Sequence, residues 1–474
     1  MHSFVLHKTF RLKKITSTST LTLIFFLLFS FTLRSQTSTV TGKIVNGKGL
    51  TIRLMKYSDQ VTYLRESLKS TMIGEDEGFE FTIDINTVQY CWLDIEFQKA
   101  ELFIQPGQSY EIEIELKNQS LSSSYYNRTG LQIKFIKDDD DRLNTSVQDF
   151  NQLYNDFLLN SAENIRSRNS RTAFDTFLKA IDLRFQNNQH PYFRNYIRYK
   201  TASMQLFMRL KSRDSIGLEY LTGQPVLFEH LEYMDFFHLY FEKYFLTGGK
   251  YFTYNKTYDL INGNSSMADI LDSLKADPVL ADAGIRELLL LDGLKDLYYV
   301  SGFERSRILS LVNEISVNGS VIESRKFAEN ILIRLKRLQP GSPAPPFKLP
   351  GAIDKKEYQL TDFSGKYIYL AFFESGNPAC QSELGLIAEI YDEFKNKVAF
   401  VAISVDKDPG KLAEYLSMAN LPWLVLQYGG NLDLLEDYDA ITFPYFLLIN
   451  AKGQIIRCPA PSPSENIRKL FNSI

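Results

Sequence analysis

The apolar positions of this chain change their period along its length. From 37 to about 117 they alternate one by one: Val40-Thr-Gly-Lys-Ile44, Leu50-Thr-Ile-Arg-Leu54, Gly78-Phe-Glu-Phe-Thr-Ile-Asp-Ile85, Leu93-Asp-Ile-Glu-Phe97 and Tyr110-Glu-Ile-Glu-Ile-Glu-Leu116. A period of two puts every second side chain on a covered face, which is strand behaviour. Turn residues at Asn46-Gly47 and Glu77-Gly78 separate the runs. Short strands at near-regular spacing predict a small antiparallel β-sandwich over 37–117.

Residues 118–146 turn polar, with Asn118-Gln-Ser120, Ser122-Ser-Ser124 and Asp138 to Asp141. A calcium loop needs alternating oxygen ligands, a turn glycine and a closing glutamate. Those are missing, so the segment reads as an acidic linker running into a helix N-terminus. From 147 to 338 the period lengthens. Phe174, Phe177, Leu178, Ile181 and Phe185 fall on one helical face. Asp277-Pro278 reads as an N-cap with proline at the first helical position, opening a run with Ile285, Leu288 and Leu289. Phe327, Ile331, Leu335 and Leu338 form a last amphipathic helix before Pro340-Gly341. No fixed repeat is visible, so the region is predicted to be all-α rather than a solenoid. His230 and His238 are eight apart; a zinc-protease pair is four apart with a glutamate beside the first.

After 341 apolar strands alternate with helical patterns. Tyr367 to Phe373, Val398 to Val405 and Phe446 to Ile449 read as strands; Cys380 to Lys395, Gly410 to Ala419 and Ser464 to Ile474 read as helices. Near-continuous apolar strands imply a sheet covered on both faces, an α/β domain over 341–474.

Composition narrows the class. The chain of 474 residues is 44% hydrophobic and 23% charged, with net charge -3. That is globular and long enough for several domains, with no basic field for nucleic acid. Lys8, Arg11, Lys13 and Lys14 precede the apolar run Leu21 to Leu33. This is the layout of a signal peptide over 1–35 cleaved near Ser35, the alternative being an uncleaved anchor. The reading is an exported protein of the periplasm or cell envelope with no membrane span after cleavage. Its three cysteines, Cys91, Cys380 and Cys458, are too few for a disulfide framework and leave at least one thiol unpaired. No histidine follows His238. No metal site and no cofactor are expected.

The last part resembles the exported thioredoxin-like family typified by TlpA and ResA, close to the AhpC/TSA group. The resemblance rests on Gly341-Ser-Pro-Ala-Pro-Pro-Phe347, Leu360-Thr-Asp-Phe-Ser-Gly-Lys366, Ser404-Val-Asp406, Leu421-Pro-Trp423, Tyr438-Asp-Ala-Ile-Thr-Phe-Pro444 and Ile449-Asn-Ala-Lys-Gly-Gln-Ile455. The first part is similar to the β-domain of such proteins in Bacteroidota, through Leu102-Phe-Ile-Gln-Pro-Gly-Gln-Ser-Tyr110 and the Glu77-Gly-Phe79 turn. The resemblance implies a thioredoxin-like fold, thiol–disulfide oxidoreductase chemistry, and a cis proline at Pro444 facing the site.

The family carries two cysteines, two residues apart, where this chain reads Phe372-Phe-Glu-Ser-Gly-Asn-Pro-Ala-Cys380. Laid without gaps, Asn377 takes the first cysteine's place, Pro378 and Ala379 the middle, and Cys380 the second. The first thiolate attacks and the second resolves. A carboxamide cannot attack, but asparagine is a good N-cap. The site is therefore a degenerate CxxC, with Cys380 the one candidate catalytic sulfur. Cys458 is expected two strands away, about 10 Å, beyond the Cα reach of a disulfide at about 7 Å. In a peroxidase of this group, a threonine or serine precedes the reactive cysteine by three and a proline by seven; here Asn377 and Phe373 stand there.

Three readings follow. One is a thioredoxin-like protein with weakened or lost redox activity, whose groove beside Phe443, Pro444 and Tyr445 takes a peptide or protein partner. A second is a one-cysteine thiol oxidoreductase or peroxidase acting through Cys380. A third is an envelope scaffold or binding module built on the first two parts.

Overall fold

A computed structural model describes residues 35–95, 98–116, 129–160, 170–247, 250–406, 408–440 and 442–474. The signal-peptide reading falls on 1–35, outside the described residues except Ser35.

Among the described residues nine strands come first: β1 (Gln36–Val45), β2 (Thr51–Tyr57), β3 (Arg65–Met72), β4 (Gly78–Ile85), β5 (Gln89–Ile95), β6 (Gln98–Ile104), β7 (Ser109–Glu115), β8 (Thr129–Leu131) and β9 (Ile133–Lys137). They form two sheets, β4-β1-β7-β9 and β3-β2-β5-β6-β8. The inward side chains of both, among them Val40, Phe81, Leu93, Leu102 and Ile112, share one core. Strand β4 buries Phe79, Phe81 and Ile83 and exposes the residues between them, as its alternation predicts. Two features differ from expectation. The β1–β7 and β6–β8 pairs are parallel, so the sheets are mixed rather than antiparallel. Alternation reports which face a residue takes, not which way its neighbour runs. The expected linker 118–146 also supplies β8 and β9, which extend both sheets, and the first turn of the next helix.

The acidic run serves that turn. Asp138 accepts from the Thr145 amide and hydroxyl at 2.8 and 2.7 Å, and Asp139 accepts from the Leu143 amide at 2.9 Å.

Ten helices follow among the described residues: α1 (Leu143–Asn160), α2 (Ser170–Phe185), α3 (Pro191–Phe207), α4 (Arg213–Tyr220), α5 (Leu231–Tyr240), α6 (Tyr254–Asn262), α7 (Met267–Leu274), α8 (Ala283–Leu297), α9 (Arg305–Asn318) and α10 (Ile322–Lys336). The buried face of α2 is Phe174, Phe177, Ile181 and Phe185. Asp277 and Pro278 open only a three-residue turn; the helix holding Ile285 is capped instead by Asp282, which accepts from the Gly284 and Ile285 amides. The outer face of β5 and β6, carrying Tyr90, Trp92 and Phe103, packs against Phe150, Phe177, Phe193 and Tyr196 of α1–α3. That cover explains why β5 is buried almost throughout.

The C-terminal part holds β10 (Lys348–Pro350), β11 (Glu357–Gln359), β12 (Tyr367–Phe373), α11 (Pro378–Phe394), β13 (Val398–Ser404), α12 (Pro409–Ala419), β14 (Leu424–Gln427), α13 (Leu432–Asp437), β15 (Tyr445–Ile449), β16 (Ile455–Arg457) and α14 (Ile467–Ser473). Its central sheet runs β14-β13-β12-β15-β16, parallel across β14, β13 and β12 and antiparallel at β15 and β16. Helices α11, α12 and α14 cover one face. Leu434, Leu435 and Tyr438, with Phe347 and Leu349, cover the other. This is a thioredoxin-like arrangement. Among the described residues no helix is long and apolar enough to cross a membrane.

Polar contacts join this part to the sandwich. Asp94 is buried between Arg53 at 3.1 Å and Arg65 at 2.6 Å. Arg53 reaches on to Asp433 at 2.5 Å, and Arg65 pairs with Glu436.

Candidate active site

Strand β12 ends at Phe373, whose carbonyl accepts from Val405 at 2.9 Å. The chain then turns through Glu374, Ser375 and Gly376 into α11. Asn377 is the N-cap: its Oδ1 accepts from the Ala379 amide at 2.9 Å, and Pro378 fills the first helical position, where no amide proton is needed. Its Nδ2 donates to the Phe443 carbonyl at 3.3 Å, and the Phe443–Pro444 peptide is cis. The structure thus brings Asn377, Phe443 and Pro444 together, with Pro378 and Ala379 exposed on the first turn.

Cys380 lies one turn in, fully buried among Phe373, Leu384 and Leu412. Burial pushes its thiol up to about 11; a backbone hydrogen bond at Glu374 opposes this, and the Glu374 and Asp406 carboxylates reinforce it. Such a group is a thiol, not a thiolate, at neutral pH. Glu383 accepts from the Ser464 amide and hydroxyl, at 3.0 and 2.6 Å.

Beneath the turn lies a polar network that sequence reasoning missed. Buried Asp406 accepts from the Ser375 amide at 3.1 Å, the Ser375 hydroxyl at 2.8 Å and the Ser404 hydroxyl at 2.6 Å. Gln381 donates to the Ser375 carbonyl at 2.7 Å. The Ser404-Val-Asp406 string was visible as the end of a strand; nothing in the sequence pointed Ser375 at it. The network fixes the β12–α11 turn and sets an anion near Cys380, the reverse of what activates a thiol.

Neither of the other cysteines shares the core of Cys380. Cys458 packs with Tyr445 and Leu447 on the face of the central sheet opposite α11, whereas Cys380 belongs to the α11 face. Its sulfur lies 3.2 Å from the Tyr445 hydroxyl, and burial raises its pKa. Cys91 is in the sandwich core, its thiol pushed up to about 12 by burial. All three cysteines are free.

The histidines serve structure. His230 caps α5, accepts from the Tyr233 amide and stacks on Tyr192 at 4.0 Å; burial lowers its pKa to about 4. His238 bridges Asp292 at 3.1 Å and the Gln60 carbonyl at 2.8 Å. Among the described residues no group of three His, Cys, Asp or Glu side chains is arranged to hold a metal.

Residues 339–470 match the Redoxin family. The C-terminal part of this chain is similar to thiol–disulfide oxidoreductases. Thiol-disulfide oxidoreductase ResA of Bacillus thuringiensis subsp. konkukian is 26% identical over 124 residues, covering 26% of this chain and 70% of that protein. ResA of Bacillus subtilis is 26% identical over 128 residues, covering 27% and 70%. Among solved structures, the thioredoxin domain of a thiol-disulfide oxidoreductase from Bacteroides vulgatus is 21% identical with a TM-score of 0.27, covering 29% of this chain and 99% of that chain. A thiol-disulfide oxidoreductase from Bacteroides fragilis is 20% identical with a TM-score of 0.26, covering 28% and 100%. The Redoxin match begins at 339, so the sandwich and helical parts lie outside it.

Proposed function

We propose that this is an exported protein of the periplasm or cell envelope whose thioredoxin-like domain has lost the thiol–disulfide reaction and acts as a binding module. The observation that carries this reading is the occupancy of the N-cap of α11. A nucleophilic sulfur would stand there, exposed to free helix amides. Asn377 stands there instead, with both ends of its carboxamide engaged. The remaining sulfur is buried and held as a thiol.

The partner is a peptide or protein segment lying beside Phe443, Pro444 and Tyr445, which are half-buried at the mouth of the site. Fold alone does not define that partner. The reading is tested by reduction of insulin disulfides with the purified protein. No turnover is expected, and Cys380→Ala should change nothing. Turnover that disappears in Cys380→Ala would overturn the reading in favour of a one-cysteine enzyme.

A further inference from the structure

A cleft of about 780 Å³ lies between α1 and the β6, β8 and β9 strands, in the part of the chain outside the Redoxin match. Its wall is written in the sequence of α1. Asn144, Gln148, Asn151, Gln152 and Asn155 fall at i, i+4, i+7, i+8 and i+11, one face of the helix. Val147, Phe150 and Phe157 take the opposite duty and enter the core. A helix that lays a row of amides along a cleft, rather than charges, is selecting for something other than solvent.

The amides divide into anchors and free groups. Asn144 accepts from the Phe103 amide at 2.7 Å and donates to its carbonyl at 2.9 Å, fastening α1 to the strand. Gln148 donates to the Ile133 carbonyl at 3.0 Å and keeps its oxygen free among the described residues. Asn151 accepts from the Tyr196 hydroxyl at 3.0 Å and keeps its amide protons. Gln152 and Asn155 are exposed and have no hydrogen-bond partner among the described residues. Each free amide offers donors and an acceptor side by side without net charge.

Tyr90, Phe103 and Tyr196 lie beneath the cleft and reach it only by their edges, their rings being packed in the core. The charges nearby are mostly neutralised. Lys99 pairs with Glu101 at 2.8 Å and also donates to the Tyr90 hydroxyl at 3.0 Å; Asp149 pairs with Arg184 at 3.2 Å. Asp156 at the rim adds a carboxylate able to accept from two adjacent hydroxyls. An anionic ligand finds no unpaired cation in this lining. An uncharged ligand rich in hydroxyls meets donors and acceptors along the amide wall.

We propose that this cleft binds a neutral saccharide, read by the amide row of α1 and the Asp156 carboxylate. The proposal concerns the N-terminal part and stands apart from the chemistry at Asn377 and Cys380.

Isothermal titration of the full protein with maltotriose, cellotriose and N,N′-diacetylchitobiose tests it. Saturable binding of at least one sugar is expected. The double variant Gln152→Ala with Asn155→Ala should weaken it about tenfold. Both side chains are exposed and alanine favours helix, so the variant should keep the circular dichroism of the parent. No saturable binding of any of the three sugars, or binding that the double variant leaves unchanged, overturns the proposal. So does a casein-derived peptide that binds in their place and is lost in the same variant.

Discussion

The Asn377 carboxamide donates to the Phe443 carbonyl at 3.3 Å, so the side chain that starts α11 also holds the loop carrying Pro444. One residue therefore does two jobs, and substitutions separate them. Asn377→Ala removes both and should cost about 1 kcal/mol, the usual worth of an N-cap. Asn377→Asp keeps an acceptor at a helix N-terminus, where negative charge is favoured, but loses the donor. It should stay close to the parent in thermal unfolding while hydrogen exchange quickens at the Phe443 and Tyr445 amides.

The proposed loss of the reaction is tested by putting a sulfur back at the N-cap. In Asn377→Cys the new thiol would stand at the N-cap and Cys380 one turn in. We expect insulin-disulfide reduction to appear in this variant and to vanish when Cys380→Ala is added. A variant that stays silent with both thiols present would show that the Ser375–Asp406 turn also blocks the reaction.

The native Cys380 thiol should resist alkylation by iodoacetamide near neutral pH and react on adding denaturant. Its pKa is raised to about 11 by burial, so the folded state holds its proton more tightly than the unfolded one. The stability from this group is therefore complete below the ordinary thiol value of about 8.5 and fades as pH climbs through about 11. Rapid labelling of the folded protein at pH 7 would contradict the burial of the sulfur.

His238 gives a second pH dependence. Burial alone would lower its pKa, but the hydrogen bond and charge of Asp292, with the Gln60 carbonyl, outweigh burial and raise it. Asp292 is lowered in turn, its burial outweighed by the same pair. The histidine's contribution is present below about 6.5, its unfolded value, and is lost as pH rises through the raised one. The loop 58–64, tied here through Gln60, should have higher exchange protection factors at pH 6 than at pH 8, and His238→Gln should flatten the difference.

The contact between the sandwich and the thioredoxin-like part depends on depth rather than on the number of ion pairs. Asp94 has a side chain 1% exposed and faces two arginines. Removing it with Asp94→Ala leaves both without their shared acceptor and should cost about 3 kcal/mol. Asp433 is half-exposed, and Asp433→Ala should cost less than about 1 kcal/mol. Urea unfolding of the two variants measures the contrast.

Much of the fold could be read from periodicity, because covered faces impose it. The strict alternation in β4 and the 3.6-residue spacing in α2 both match what is buried. Strand direction was not readable, since β1 and β7 pair in parallel across five intervening strands and alternation is blind to this. Asp277 carried the residue type of a cap, yet Asp282 caps the helix, because both satisfy the same local rule and tertiary packing decides between them. At the site, Asn377 as an N-cap follows from one residue type at one place. The Ser375–Asp406 bond joins positions 31 apart, and no local pattern encodes such a meeting.

Strand β5 is covered on both faces, by the opposing sheet through Cys91 and Leu93 and by helices through Tyr90 and Trp92. Modularity therefore stops short of the sandwich. A fragment ending at Lys137 would show water three large aromatic side chains that the whole chain hides, and it should aggregate. The sandwich and its first helices should be expressed as one unit, whereas the thioredoxin-like part meets the sandwich through the Arg53–Asp433 and Arg65–Glu436 ion pairs.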